Sequence, residues 1–279
     1  MNPEQPNTPS EPSDPSVEIG EDMIKEWLAK LAPFRYQGDN PIILEENQRI
    51  EKTIINREII FYRQVCQAIE QALEERPASK EEPLIILFDI DETLGKANYP
   101  KGVDGQTDWS KQCFIFRPAL DSIWGYLKAK LDQQIVRIGT LSGRGKDNQL
   151  DQLKDPDVLE PIANIIDENL VNSASDFEYK KLSEADIQEL ISPNMLTKDQ
   201  YGSPQWLSYA DQGKMFALLQ IARTNSHSSL VVVDDHAYPD LLNPINGYYG
   251  VSLGNGASFY MPDDWVTPNI AQSVDILKP

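Results

Sequence analysis

The run Leu84-Ile85-Ile86-Leu87-Phe88-Asp89-Ile90-Asp91-Glu92-Thr93-Leu94 constrains this chain more than any other stretch. An unbroken apolar segment entered after Pro83 reads as a strand buried on both faces, and such strands belong to parallel sheets covered by helices. Two aspartates, one residue apart, follow at once. In open α/β sheets ligands sit beyond the carboxyl ends of the strands, so Asp89 and Asp91 stand where chemistry is expected. Carboxylates this close repel each other unless a metal ion or a cationic side chain lies between them.

Two further strands end in polar residues. Arg117-Pro118 opens a helix with proline in its first turn, and Leu120, Ile123, Trp124, Leu127 and Leu131 form its buried face. Ile135–Leu141 then reads as a strand meeting Ser142-Gly143-Arg144, and strand, helix, strand implies a parallel crossover. Later, Asp211 reads as the capping residue of a helix carrying Lys214, Met215, Phe216, Leu218 and Leu219. The strand Leu230–Val233 follows and ends in Asp234-Asp235, and Tyr248–Leu253 supplies one more strand. Between these elements, residues 95–112 read as a loop or small flap. Residues 145–210 carry the weakest pattern: a helix through Leu150 and Leu153, a short strand over Ile162–Ile166, and a helix over Asp186–Ile191. That region is expected to form an insertion or a lid near the site.

The N-terminal part has a different character. Residues 1–19 carry proline at positions 3, 6, 9, 12 and 15, the threefold spacing of polyproline II, and read as a disordered tail. Residues 20–81 read as a helical extension. A short helix covers Glu21–Leu31, and between Leu44 and Glu75 apolar residues recur every three or four positions until Pro77. Ile55, Ile59, Tyr62, Cys66, Ile69 and Leu73 form one line; Ile50, Ile54, Phe61 and Val65 widen it. Such a face packs either on residues 82–279, taken as the catalytic domain, or on a protein partner.

Composition narrows the function classes. With 25 basic against 44 acidic residues among 279, net −19, the chain is unsuited to generic binding of nucleic acid or anionic lipid. Its two cysteines, Cys66 and Cys113, have no metal-ligand spacing and read as free thiols of a reducing compartment. Neither a bilayer-spanning run nor a signal peptide is visible, so a cytoplasmic, non-membrane protein is expected.

Taken in order, Asp89-x-Asp91-x-Thr93, Ser142-Gly143-Arg144, Lys214 and Asp234-Asp235 resemble the motifs of the haloacid dehalogenase superfamily of aspartate-nucleophile phosphatases, over residues 84–253. The roles also follow from the chemistry of phosphoryl transfer, which needs a nucleophile, cationic stabilisation and a proton donor for the leaving oxygen. Asp89 is the candidate nucleophile and Asp91 the candidate general acid, a role suited to a carboxyl raised by acidic neighbours. Lys214, placed in a first helical turn against the helix dipole, points to a bound anion. The resemblance implies a Rossmannoid three-layer sandwich with a mostly parallel sheet. It further implies Mg²⁺ held by Asp89, Asp91 and Asp235, with Asp234 or Asp240 completing or orienting the shell, and phosphoryl binding by Thr93, Ser142, Gly143, Arg144 and Lys214. An all-oxygen donor set suits Mg²⁺.

Alternatives stay open at several positions. Thr140 could replace Ser142, and Lys180 or Lys198 could replace Lys214, while His236 and His227 read as surface residues. The expected activity is hydrolysis of a phosphomonoester through an aspartyl phosphate, on a small molecule or a bulky substrate such as a phosphoprotein. Arg117-Pro118-Ala119-Leu120, similar to a segment of the open-site members, favours the bulky substrate. Two rivals are a phosphotransferase of the same fold and a partner-binding module with a regulatory pocket.

Overall fold

Phe88 and the four residues before it are all buried, because the strand they form (β1, Leu84–Phe88) has a parallel neighbour on each side and helices above and below. The computed structural model describes residues 18–35, 38–98, 113–177, 180, 182–193 and 209–261. The other strands of this sheet are β4 (Val136–Ser142), β5 (Ile166–Ser173), β6 (Leu230–Asp234) and β7 (Tyr248–Ser252), while β2 (Gly95–Asn98) and β3 (Cys113–Phe116) form a separate antiparallel pair. The five-stranded sheet has the order β5-β4-β1-β6-β7, with every pairing parallel. From β1 the chain moves outward through β4 to β5, then returns across β1 to β6 and β7. The strand order therefore reverses between β1 and β6, and a crevice opens at their carboxyl ends. Asp89 and Asp234-Asp235 lie at that crevice.

Alternation along β1 divides the core. Leu84, Ile86 and Phe88 face one side, where they pack with α1 (Glu21–Leu31), α2 (Pro41–Glu75) and α3 (Leu120–Asp132). Ile85 and Leu87 face the other, against α5 (Glu184–Leu190) and α6 (Tyr209–Thr224). The remaining helices, α4 (Lys146–Gln152) and α7 (Gly254–Ala257), are short. This is an α/β sandwich of helix, sheet and helix, as the sequence implies.

The N-terminal helices settle on the sheet. Asn40 caps α2 by accepting from the Ile42 amide at 3.1 Å, and Pro41 occupies the first helical position. Phe61, Val65 and Ile69 of α2 are fully buried, as is Trp27 of α1, whose indole donates to Ser122 of α3 at 3.0 Å. The choice between packing on residues 82–279 and docking on a partner is thus decided for this face. Residues 20–81 and the strands share one core cluster.

Three expectations need correction. The segment 145–210 does not read as an insertion in its described part, since it supplies β5, an edge strand of the main sheet, at Ile166–Ser173 instead of Ile162–Ile166. Proline 118 lies in the turn before α3, not inside it, and α6 starts two residues ahead of Asp211. Of the expected flap, residues 95–98 form β2, paired antiparallel with β3; residues 99–112 and the proline-spaced tail up to residue 17 lie outside the described residues, as do 194–208. Cys66 and Cys113 form no disulfide, and among the described residues no helix is long and apolar enough to cross a membrane.

Because α1 and α2 cover one face of the sheet, a chain beginning at Glu82 should show no cooperative urea transition. Trp27→Ala in the full chain should cost about 3–5 kcal/mol in the same measurement. A truncated chain that unfolds cooperatively would contradict this packing.

Candidate functional site

At the crevice, burial brings charges together. Asp89 is 5% exposed, Lys214 3% and Asp234 0%. The Lys214 ammonium lies 3.1 Å from Asp89 Oδ1 and 2.6 Å from Asp234 Oδ2, so one cation bridges the ends of β1 and β6. It reaches there because α6 passes very close to the end of β5. A Cβ on Gly213 would stand 2.6 Å from the Ala174 carbonyl oxygen, so only glycine fits that approach. Lys214 is the sixth residue of α6, beyond the first turn, which removes the helix-dipole argument and leaves the two carboxylates as the reason for its position.

The protonation equilibria reflect this crowding. Burial pushes the Asp89 carboxyl up to about 7, with Lys214 opposing and Asp234 and Asp235 adding to the rise. Burial and then Asp234 raise the half-buried Asp235 to about 6. For Lys214 burial acts downward, but Asp89 and Asp234 outweigh it and raise its pKa.

Asp91 has a partner that the sequence pattern does not suggest. Arg144 grips both of its carboxylate oxygens, with Nε donating at 2.8 Å to Oδ2 and Nη2 bonded to Oδ1. Its neighbour is therefore cationic rather than acidic. Arg144 is itself held by Gln152, which accepts from Nη1 at 2.6 Å, and lies 5.8 Å from the Phe114 ring of β3. The side chains of Ser142 and Thr93 are buried in the same region: Ser142 Oγ accepts from the Arg144 amide at 3.4 Å, and Thr93 Oγ1 has no partner among the described residues. Around Gly143 there is open space, which leaves its backbone accessible.

The alternatives fare differently. Thr140 is engaged, donating to Gln149 Oε1 at 2.7 Å. Lys180 sits over the Phe177 and Phe216 rings, at 6.0 and 5.5 Å from their centroids, while Lys198 lies outside the described residues. Asp240 belongs to the turn Tyr238–Leu241; burial raises its pKa and Ser252 opposes the rise. It is not one of the three residues whose ligand atoms lie within 4.8 Å of one another, which are Asp234, Asp235 and His236.

Two residues that the sequence reading passed over, Gln149 and Tyr238, support the site, as does His236, read as a surface residue and indeed exposed. His236 pairs through Nδ1 with Asp211 at 2.7 Å, a bond that raises its pKa to about 9, and its amide donates to Asp234 at 3.0 Å. Gln149, buried in α4, donates to the carbonyls of Arg144 at 2.7 Å and Asn172 at 3.0 Å and so fastens the Ser-Gly-Arg turn to β5. Tyr238 is 1% exposed, its ring 5.8 Å from the Lys214 ammonium. A polar side chain on a short helix, or a tyrosine in a turn, carries no spacing signal by which sequence could single it out.

As a donor set, the Asp89 and Asp235 carboxylates offer hard oxygen, while the nearby His236 is bonded through Nδ1 to Asp211. Asp234 has both oxygens taken, by Lys214 and by the His236 amide. Lys214 and the His236 imidazolium, whose pKa is raised to about 9, face the carboxylates of Asp89, Asp234, Asp235 and Asp211, an excess of negative charge that a hard divalent cation fits. Comparison with protein-family models, curated proteins and solved structures finds no match to this chain.

A pH test isolates the buried nucleophile candidate. Asp89 binds its proton more tightly when folded, because its pKa rises from 3.8 to about 7. The resulting stabilisation is complete below the unfolded pKa and is lost as pH rises through about 7. In EDTA, Asp89→Asn should therefore become progressively more stable than the parent between those limits, by a few kcal/mol at the upper end, in urea titrations at each pH. Parallel stability curves for the two proteins would refute the assignment.

Proposed function

We propose that this chain is a Mg²⁺-dependent phosphomonoesterase of the haloacid dehalogenase type, with Asp89 as its nucleophile. The observation that carries the reading is the Asp89–Lys214–Asp234 cluster, a buried lysine bridging two aspartates at the crevice between β1 and β6. A structural aspartate at a strand end needs only a turn amide or solvent. A nucleophile that must approach an anionic phosphoryl group needs a cation beside it in a dry site.

In the proposed reaction an Asp89 oxygen attacks phosphorus and the bond to the leaving oxygen breaks, giving an aspartyl phosphate. Asp91 gives its proton to the leaving oxygen. It then takes a proton from the water that attacks phosphorus, and Asp89 departs as carboxylate. For this Arg144 must release Asp91, and the incoming phosphoryl oxygens are the natural competitor for its fork. Ser142 offers its hydroxyl and amide to a second oxygen, while Lys214 offsets the charge on Asp89 and the phosphoryl group. Mg²⁺, held by Asp89, the Asp91 carbonyl and Asp235, would neutralise phosphoryl charge that would otherwise repel the attacking carboxylate.

Purified protein should release phosphate from an aryl phosphate with Mg²⁺ and not with EDTA, and Asp89→Asn should abolish release while keeping its fold. Turnover retained in that variant would remove the aspartyl-phosphate proposal. Asp235→Ala should shift the Mg²⁺ dependence to concentrations at least about tenfold higher; an unchanged titration would put the metal elsewhere.

A further inference from the structure

The turn Asp91–Leu94, which directs the Asp91 side chain, is held in a conformation that its own residues disfavour. Glu92 has φ 59°, the left-handed region, although it is not glycine. Such a residue is strained and persists where surrounding bonds over-determine it. Here three consecutive carbonyls are each caught by a donor from outside the turn. Glu92 O accepts from the Phe259 amide at 2.7 Å, Thr93 O from Arg117 Nη1 at 3.1 Å, and Leu94 O from the Arg117 amide at 3.1 Å. Arg117 Nη2 also donates to Ala257 O at 2.7 Å, so the same guanidinium fastens the segment that delivers the Phe259 amide.

The counter-charge comes from the N-terminal helix. Glu58, at the midpoint of α2, accepts from Arg117 Nη2 at 2.9 Å and Nε at 3.2 Å, and from the Ala119 amide at 3.0 Å. Both side chains of the pair are fully buried. Phe61, one helical turn onward, stacks on the guanidinium, its ring centroid 3.4 Å away. A buried ion pair contributes little stability over apolar residues of similar volume, so stability gives a poor account of this one. Directed hydrogen bonds to two carbonyls and a carboxylate, in one rigid plane, give a better account.

We infer that Glu58 and Arg117 are positioning residues of the site: the buried pair formed by α2 with Arg117 fixes the Asp91–Leu94 turn through the Thr93 carbonyl and so sets the direction of Asp91. For its kinetic consequence this rests on the phosphatase reading. The N-terminal helix is then part of the machinery and not only a cover for the sheet.

The test replaces both charges in the full-length chain with residues of similar length, Glu58→Met with Arg117→Met, and follows turnover of an aryl phosphate together with amide hydrogen exchange over residues 90–95. The double variant should melt cooperatively, turn over about 100-fold more slowly with KM little changed, and exchange faster at the Glu92 and Leu94 amides. Cooperative melting with parental kcat and parental exchange would overturn the inference. Should the double variant fail to fold, Arg117→Lys keeps the charge beside Glu58 but cannot fork to Thr93 and Ala257. A lowered kcat at constant KM in that variant supports the inference, and a parental kcat overturns it. Absence of Asp89-dependent turnover in the parent protein would defeat the phosphatase reading alone. Exchange over residues 90–95 would then decide the positioning of the turn, faster exchange upholding it and unchanged exchange refuting it.

Discussion

A charge taken out of water must be compensated where it lies, and this requirement organises the crevice between β1 and β6. Asp89 and Asp234 end neighbouring parallel strands, each almost without solvent, and Lys214 is the cation that makes their joint burial tolerable. To deliver that ammonium, α6 must dock against β5, and Gly213 makes the approach sterically feasible. The helix-bearing face opposite α1–α3 is thus fixed by electrostatics as much as by its apolar residues. Packing alone would tolerate a helix displaced by a fraction of a turn; the ion pairs would not.

The candidate residues reach the crevice from three strand ends, those of β1, β4 and β6, and from α6, and neighbouring side chains or amides secure these segments. Gln149 ties the Ser142–Arg144 turn to β5, Gln152 holds the Arg144 fork, and His236 donates its amide to Asp234. Arg117 does the same for the turn after β1. The site is therefore a set of short polar segments, each anchored sideways to the scaffold, and the excess of carboxylate over lysine and imidazolium leaves it charged toward a cation. Asp91, gripped by Arg144, is the member whose bonding in this structure differs most from the one that the proposed reaction requires.

Much of this was legible in the sequence because buried elements leave strong patterns. Strands β1, β4 and β6 are apolar runs, since each lies between two others with both faces covered, and polar residues mark their ends. Helix α1 is read to the residue, and α2 nearly so, because a helix against a sheet must present an apolar stripe with 3.6 periodicity. Edge strand β5 was misplaced for the opposite reason: its residues Asp167, Glu168 and Asn169 face solvent or local polar partners, as edge strands require, and erase the signal. The Arg144–Asp91 grip and the Glu58–Arg117 pair were invisible because they join residues 53 and 59 positions apart, and no local periodicity encodes such a meeting. Within α2, the line judged secondary, containing Phe61 and Val65, lies deepest, while Ile59 and Leu73 are only partly buried.

The geometry of Arg117 also bears on the order in which the molecule can be built. Its guanidinium joins a helix 59 residues upstream to a carbonyl 140 residues downstream, and the turn after β1 takes its shape from both. Contacts of such separation must pay loop-closure entropy before they return any bonding energy, so they form late. The pairing of β1 with β6 joins Ile85 to Leu230 over a similar distance, so the central strand waits for its second neighbour much as the Asp91–Leu94 turn waits for its anchors at Ala257 and Phe259. Fold and site are therefore completed together.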